Sequence, residues 1–222
     1  IKVLNALMYD GMVVAKAENY LENGCDEVTQ AITIDNPKLW SPDTPTLYSL
    51  ETKVFDNDKL VDVQHTNVGI RMIGFDEGGF VLNNEEPTKF RGVCLHHDLG
   101  PLGSAFNKAA FRRQVRLLKE IGCNAIRTAH NIPAPWQMDI CDEMGMLVMA
   151  ESCDMWVYPK CKNGYSIFFE QIDNQSPNAD GRPWWQRDFE NLVVVNRNHP
   201  SIVMWSIGNE IPDQGSTVGL KY

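Results

Sequence analysis

Apolar and polar residues alternate through IKVLNALMYD and GMVVAKAENY, residues 1–20, and Asp10-Gly11 separates the two runs, which predicts a β-hairpin closed by a tight turn. The same period of two returns in EVTQAITI (27–34), TLYSLETKVFD (46–56) and KLVDVQHTNVGI (59–70), with breaks at Asn36-Pro37 and Ser41-Pro42-Asp43. These runs predict a small all-β sandwich, short enough that an initial strand is expected to be missing. One more hairpin-like crossing is expected at Phe80-Val81-Leu82-Asn83-Asn84.

Near residue 86 the period changes. KFRGVCL (89–95) reads as a strand, and FNKAAFRRQVRLLKEIG (106–122) as a helix with Phe111, Val115 and Leu118 on one face and Gly122 at its end. NAIRTAH (124–130) is the next strand, a helix from Trp136 to Met144 ends at Gly145, and MLVMAE (146–151) is the third strand. A long polar and aromatic loop from about Cys153 to Arg182 leads into the helix WWQRDFENLVVVNRN and then the strand IVMWS. Strands alternating with helices predict a parallel sheet whose right-handed crossovers bring every strand end to one rim.

That rim is uniform in chemistry. The first strand runs into His96-His97-Asp98. The second carries Arg127 and runs into His130-Asn131, the third ends at Glu151 with Asp154 and Trp156 beyond, and the fourth leads to Asn209-Glu210. Active sites of barrel enzymes are assembled at such ends. Imidazoles, amides, carboxylates and tryptophans suit a sugar, which offers hydroxyls to hydrogen-bonding groups and flat C–H faces to rings.

Composition narrows the classes. With 43% hydrophobic and 22% charged residues the chain can bury a core, and a net charge of -9 argues against a nucleic-acid partner. No apolar run approaches a membrane span and no signal segment is visible, so no membrane partner is expected. Cysteines 25, 94, 123, 141, 153 and 161 lack metal-site spacing and read as small hydrophobes or free thiols, which favours a reducing compartment and so, between bacterial cytoplasm and periplasm, slightly the cytoplasm. His65 and His199 read as structural, and Tyr158, Lys160 and Lys162 as solvated loop residues.

The runs NAIRTAHNIPAPWQMDICDEMGMLVM and NRNHPSIVMWSIGNE resemble the two signature segments of glycoside hydrolase family 2. LWSPDTPTLYSLETKVFD is similar to the end of that family's immunoglobulin-like domain, and FRGVCLHHD to its first barrel strand. HHDLGPLG and AESCDMWVYPKCKNGY look most like bacterial β-galactosidase-type members. The resemblance implies an immunoglobulin-like sandwich over residues 1–75, followed over 76–222 by the first half of a (β/α)8 TIM barrel, through its fourth strand.

It also implies a retaining exo-glycosidase acting on terminal β-D-galactosides, with Glu210 as acid/base and Asn209 bonding the hydroxyl beside the reacting carbon. Such an acid must be protonated near neutral pH, which burial or a neighbouring carboxylate can enforce. Arg127 would lie under the nucleophile, His96 and His130 would line the sugar subsite, and Asp154 and Trp156 would reach it from the third loop. No cofactor is implied. SCDMWVYPK offers no His where some members hold magnesium, so no essential metal is expected. The family's nucleophile is a Glu ending the seventh strand, and this sequence stops at Tyr222 just after the fourth, so a fragment inactive by itself is expected. Its open barrel edges are expected to favour self-association. The competing readings are β-glucuronidase or β-mannosidase specificity, or a non-catalytic carbohydrate-binding or structural module.

Overall fold

The structure is a computed structural model that describes residues 1–22 and 24–222. It divides into two compact units, Ile1–Pro87 and Thr88–Tyr222.

In the first unit β1 (Lys2–Tyr9) and β2 (Met12–Tyr20) form the expected hairpin. Its turn residues Asp10 and Gly11 have φ of 51° and 74°, the left-handed pair that suits the twist of two short-linked strands. β3 (Tyr48–Asp56) and β4 (Lys59–Val68) complete an antiparallel sheet of order β2-β1-β3-β4, and β5 (Ile73–Asp76) pairs with β6 (Gly79–Leu82). Residues 27–34 differ from expectation and form no strand. Both edges of β1 are already filled by β2 and β3. The segment is tied by a side chain instead: Gln30 donates to the Val3 carbonyl at 2.9 Å and accepts from Asn5 at 2.8 Å.

The second unit carries four parallel strands, β7 (Gly92–Leu95), β8 (Ala125–Thr128), β9 (Leu147–Glu151) and β10 (Ile202–Ser206), side by side in chain order. Three helices link them: α1 (Lys108–Glu120), α2 (Pro135–Met144) and α3 (Trp184–Asn196). Asn107 caps α1 by accepting from the Ala110 amide at 3.0 Å, and Gly145 ends α2 in the left-handed conformation at φ 69°. Phe111 and Val115 of α1, Met138 and Ile140 of α2 and Leu192 of α3 pack with Ile126, Val148, Ala150 and Ile202 of the sheet in one core. β7 and β8 approach so closely at Gly92 that a Cβ there would lie 2.2 Å from the Ala125 carbonyl oxygen.

Because side chains alternate along a strand, burying Ile126 and Val148 against the helices turns Arg127 and Met149, their neighbours in register, to the opposite face. At the other strand ends His199 Nδ1 lies 2.6 Å from Asp142, whose second oxygen accepts from the Ser201 amide at 3.0 Å. His199 is thus a fastening between α2 and β10, the structural part expected of it. All six cysteines are free thiols.

Candidate active site

The site grows from Glu151, the last residue of β9. Its side chain is 0% exposed, although a carboxylate tolerates such burial only when paired and hydrogen-bonded. The partners come from three other places on the rim. Arg127 of β8 donates from Nε at 2.8 Å and approaches with Nη2 at 2.6 Å. Ser206 at the end of β10 donates at 2.7 Å, and His130 Nδ1, just after β8, lies 2.7 Å from the remaining oxygen. The Glu151 amide in turn donates to Thr128 Oγ1 at 3.1 Å.

Arg127 extends the network. Its Nη2 donates to Asn209 Oδ1 at 2.8 Å, and Asn209 Nδ2 donates to Asp154 at 2.9 Å. Lys160 donates to the same Asp154 oxygen at 3.0 Å, also meets the Asn209 carbonyl, and lies 3.6 Å from the Glu210 carboxylate. His96 stands edge-on to His130 with ring centres 5.0 Å apart. Six of the seven residues expected at the site are therefore linked in one cluster: His96, Arg127, His130, Asp154, Asn209 and Glu210.

Trp156 is placed differently. It is 5% exposed, donates its indole N–H to the Ile207 carbonyl at 2.8 Å, and packs with Phe169, Phe189 and Tyr222. An indole covered in this way anchors the loop and offers no broad face to a sugar. Gly208 is required beside it, since a Cβ there would lie 3.0 Å from the indole nitrogen and 2.6 Å from Ile211. Lys160 corrects the expectation in the other direction. The loop folds back so that its ammonium has three partners on the rim, where the sequence had suggested a solvated cation. Glu151 and Ser206 are the further site residues that sequence reasoning left without a role.

The electrostatics follow from these contacts. Partial burial pulls the Asp154 carboxyl upward, but hydrogen bonds from Asn209 and Lys160 and the Lys160 charge outweigh it and hold the group below its ordinary value. For Arg127, burial works against the cation and the bonds to Glu151 and Cys94 outweigh it, raising its pKa. The Asp154 contacts thus contribute stability above the unfolded carboxylate range and lose it as pH falls through the lower folded value. Carbon-detected NMR of Asp154 should give a midpoint below that of an unperturbed Asp, moving upward in Lys160→Met. A midpoint at or above the ordinary value would contradict the pairing.

Glu210 is held at φ 48°, a left-handed conformation that is unfavourable by about 1 kcal/mol for a residue with a side chain. Its side chain is 81% exposed. Strain kept at a strand end is where function is worth seeking. Among the described residues Asp139, Asp142 and His199 are close enough to share a cation, with ligand atoms within 4.8 Å, but both Asp142 oxygens already serve His199 and Ser201 at the far end of the strands.

Four parallel β/α strands gather an arginine, imidazoles, an amide and carboxylates at their C-terminal ends, the rim at which barrel enzymes assemble their sites. The description "Glycosyl hydrolases family 2, TIM barrel domain" matches residues 74–219 and "Glycosyl hydrolases family 2" matches residues 7–71, so the chain belongs to glycosyl hydrolase family 2. Its fold is that family's N-terminal sandwich domain followed by a partial TIM barrel.

Among its relatives, the β-galactosidase BoGH2A of Bacteroides ovatus is 46% identical over 189 residues, 85% of this chain and 21% of that protein. A putative β-glucuronidase of Formosa agariphila is 38% identical over 205 residues, 92% of this chain and 18% of that protein. The crystal structure of a family 2 member from Bacteroides cellulosilyticus superposes with a TM-score of 0.85 at 34% identity, covering 97% of this chain and 27% of that one. The chain spans about a fifth of the length of these two curated relatives.

Proposed function

We propose that the chain is the acid/base half of a retaining exo-glycosidase that removes terminal β-D-galactosides. The observation that carries this reading is the Arg127-Asn209 hydrogen bond beside Glu210 just beyond β10, an amide held between Arg127 and Asp154 next to a residue whose backbone is left-handed. In this mechanism Glu210 protonates the leaving oxygen while a second carboxylate attacks the anomeric carbon, and the two groups stand about 5 Å apart. The covalent glycosyl intermediate then yields to water activated by the same Glu210, now a base. Asn209 bonds the hydroxyl beside the reacting carbon, His96 and His130 line the subsite, and Asp154 borders it.

The nucleophile is assigned to a part of the enzyme outside this chain. Glu151 is saturated by donors and Asp154 is bound by Asn209 and Lys160, so neither is free to attack. Glu210 also lacks, in the described residues, the burial that a working acid needs. The isolated chain is therefore inactive. Galactose is preferred to glucuronic acid because the galactosidase relative is 46% identical and the putative glucuronidase 38%. By sequence character we assign residues 1–75 to the sandwich and 76–222 to the barrel, whereas the compact units divide after Pro87 and leave the β5-β6 hairpin with the first unit.

The test uses the intact enzyme that carries this chain, with a nitrophenyl β-galactoside followed by proton NMR. The β anomer of galactose should form first. The α anomer would overturn the retaining mechanism, and faster hydrolysis of the β-glucuronide would overturn the sugar assignment. For the isolated chain, we further propose pairing of two copies through the unpaired edges of β7 and β10, where Val93 and Trp205 are exposed. Light scattering should give a dimer mass, and a monomer at every concentration would contradict it.

A further inference from the structure

We propose that Glu151 is a positioning residue for the sugar subsite: it fixes His130 as the Nδ1–H tautomer and locks the Arg127 fork against Asn209. The inference rests on the glycosidase reading only for what the frame is used for. Its geometry stands apart from that reading.

Glu151 touches no solvent, and each of its oxygens faces a donor. One oxygen receives Arg127 Nε, Arg127 Nη2 and the Ser206 hydroxyl at 2.6–2.8 Å. A guanidinium is always charged and can only donate, so the carboxylate it grips is an acceptor. The other oxygen, 2.7 Å from His130 Nδ1, is an acceptor as well, and the proton between them belongs to the imidazole. A neutral ring protonated at Nδ1 carries its lone pair at Nε2. In its neutral form His130 therefore accepts a hydrogen bond from a sugar hydroxyl at Nε2 and does not donate one. This orientation through the second ring nitrogen is the way a carboxylate commonly sets a functional histidine.

The same carboxylate sets Arg127. Nε and Nη2 both engage Glu151, and Nη2 also reaches Asn209 Oδ1 at 2.8 Å. With its oxygen committed to Arg127 and its Nδ2 to Asp154, the Asn209 amide has one defined orientation. Glu151 thereby couples the imidazole on one side of the rim to the amide on the other, through a group that itself never meets the substrate.

The experiment is long-range nitrogen–proton NMR of the histidine rings in the 222-residue chain at neutral pH, without substrate, with His130 assigned by its loss in His130→Gln. The expected signature for His130 is a pyrrole-type Nδ1 and a pyridine-type Nε2. Glu151→Leu removes the acceptor, and the ring should invert to the Nε2–H form. Glu151→Gln keeps an acceptor for His130 but weakens the grip on Arg127, so the tautomer should persist while protection of the Arg127 Nε–H against exchange is lost. An Nε2–H ring in the unaltered chain overturns the inference, as does a folded Glu151→Leu with the original tautomer. Should Glu151→Leu fail to fold, an unchanged Arg127 Nε–H in Glu151→Gln overturns it equally. Since no sugar is present, failure here leaves the glycosidase reading standing, and failure of the galactoside assay leaves the frame standing.

Discussion

Arg127→Ala is expected to lower the stability of the chain by about 3–5 kcal/mol, because it leaves a carboxylate in the interior without its cation. Glu151 is 0% exposed and would retain only Ser206 and His130 as donors. The loss is a large fraction of the 5–15 kcal/mol that typically holds a domain together, so the variant should unfold at a much lower urea concentration. Arg127→Lys should recover only part of it: an ammonium replaces the charge but not the fork that reaches Glu151 and Asn209 at once. The informative variant is the double one, Arg127→Met with Glu151→Leu, which removes both charges and should be more stable than Arg127→Ala alone. Urea midpoints compared at constant slope read all three. Equal losses in Arg127→Ala and in the double variant would mean that the buried charge is not what the arginine offsets.

Much of the barrel unit was legible in the sequence because its determinants are local. The α1 face through Phe111 and Val115, the left-handed glycines at 122 and 145, and the short apolar runs of β7 to β10 each follow from a few adjacent residues. Convergence of the rim residues followed from the handedness of the crossovers. What failed depended on distant partners. The alternation of residues 27–34 is strand-like, but the segment is tied to β1 through the Gln30 side chain and not through a backbone ladder. Lys160 lies in a stretch rich in Pro, Lys, Asn and Gly that reads as solvated, and only the fold of the loop brings it to Asp154 and Asn209. Trp156 looks like a stacking platform until its loop packs it against Phe169.

Glu151 is more instructive. A carboxylate ending the apolar run LVMA needs a cation or a set of donors, and Arg127 on the preceding strand was the obvious source. That signal was in the sequence. Burial was expected of Glu210 instead, and the structure leaves that side chain mostly exposed.

The second large effect concerns catalysis. In the intact enzyme Glu210→Gln should lower turnover of an alkyl β-galactoside by about 10²–10⁴-fold, the usual contribution of a positioned general acid. The side chain keeps its size, so the substitution removes the transferable proton with little change in shape. The dependence on leaving group is decisive, because a group that departs readily needs no proton. Turnover of an alkyl galactoside and of a dinitrophenyl galactoside, compared in the intact enzyme and its Glu210→Gln variant, is therefore the most direct measurement. If Glu210 is the acid, the first step of the dinitrophenyl substrate survives nearly intact while the alkyl substrate shows the full loss. An equal loss for both leaving groups in that step, or none for either, would contradict the assignment.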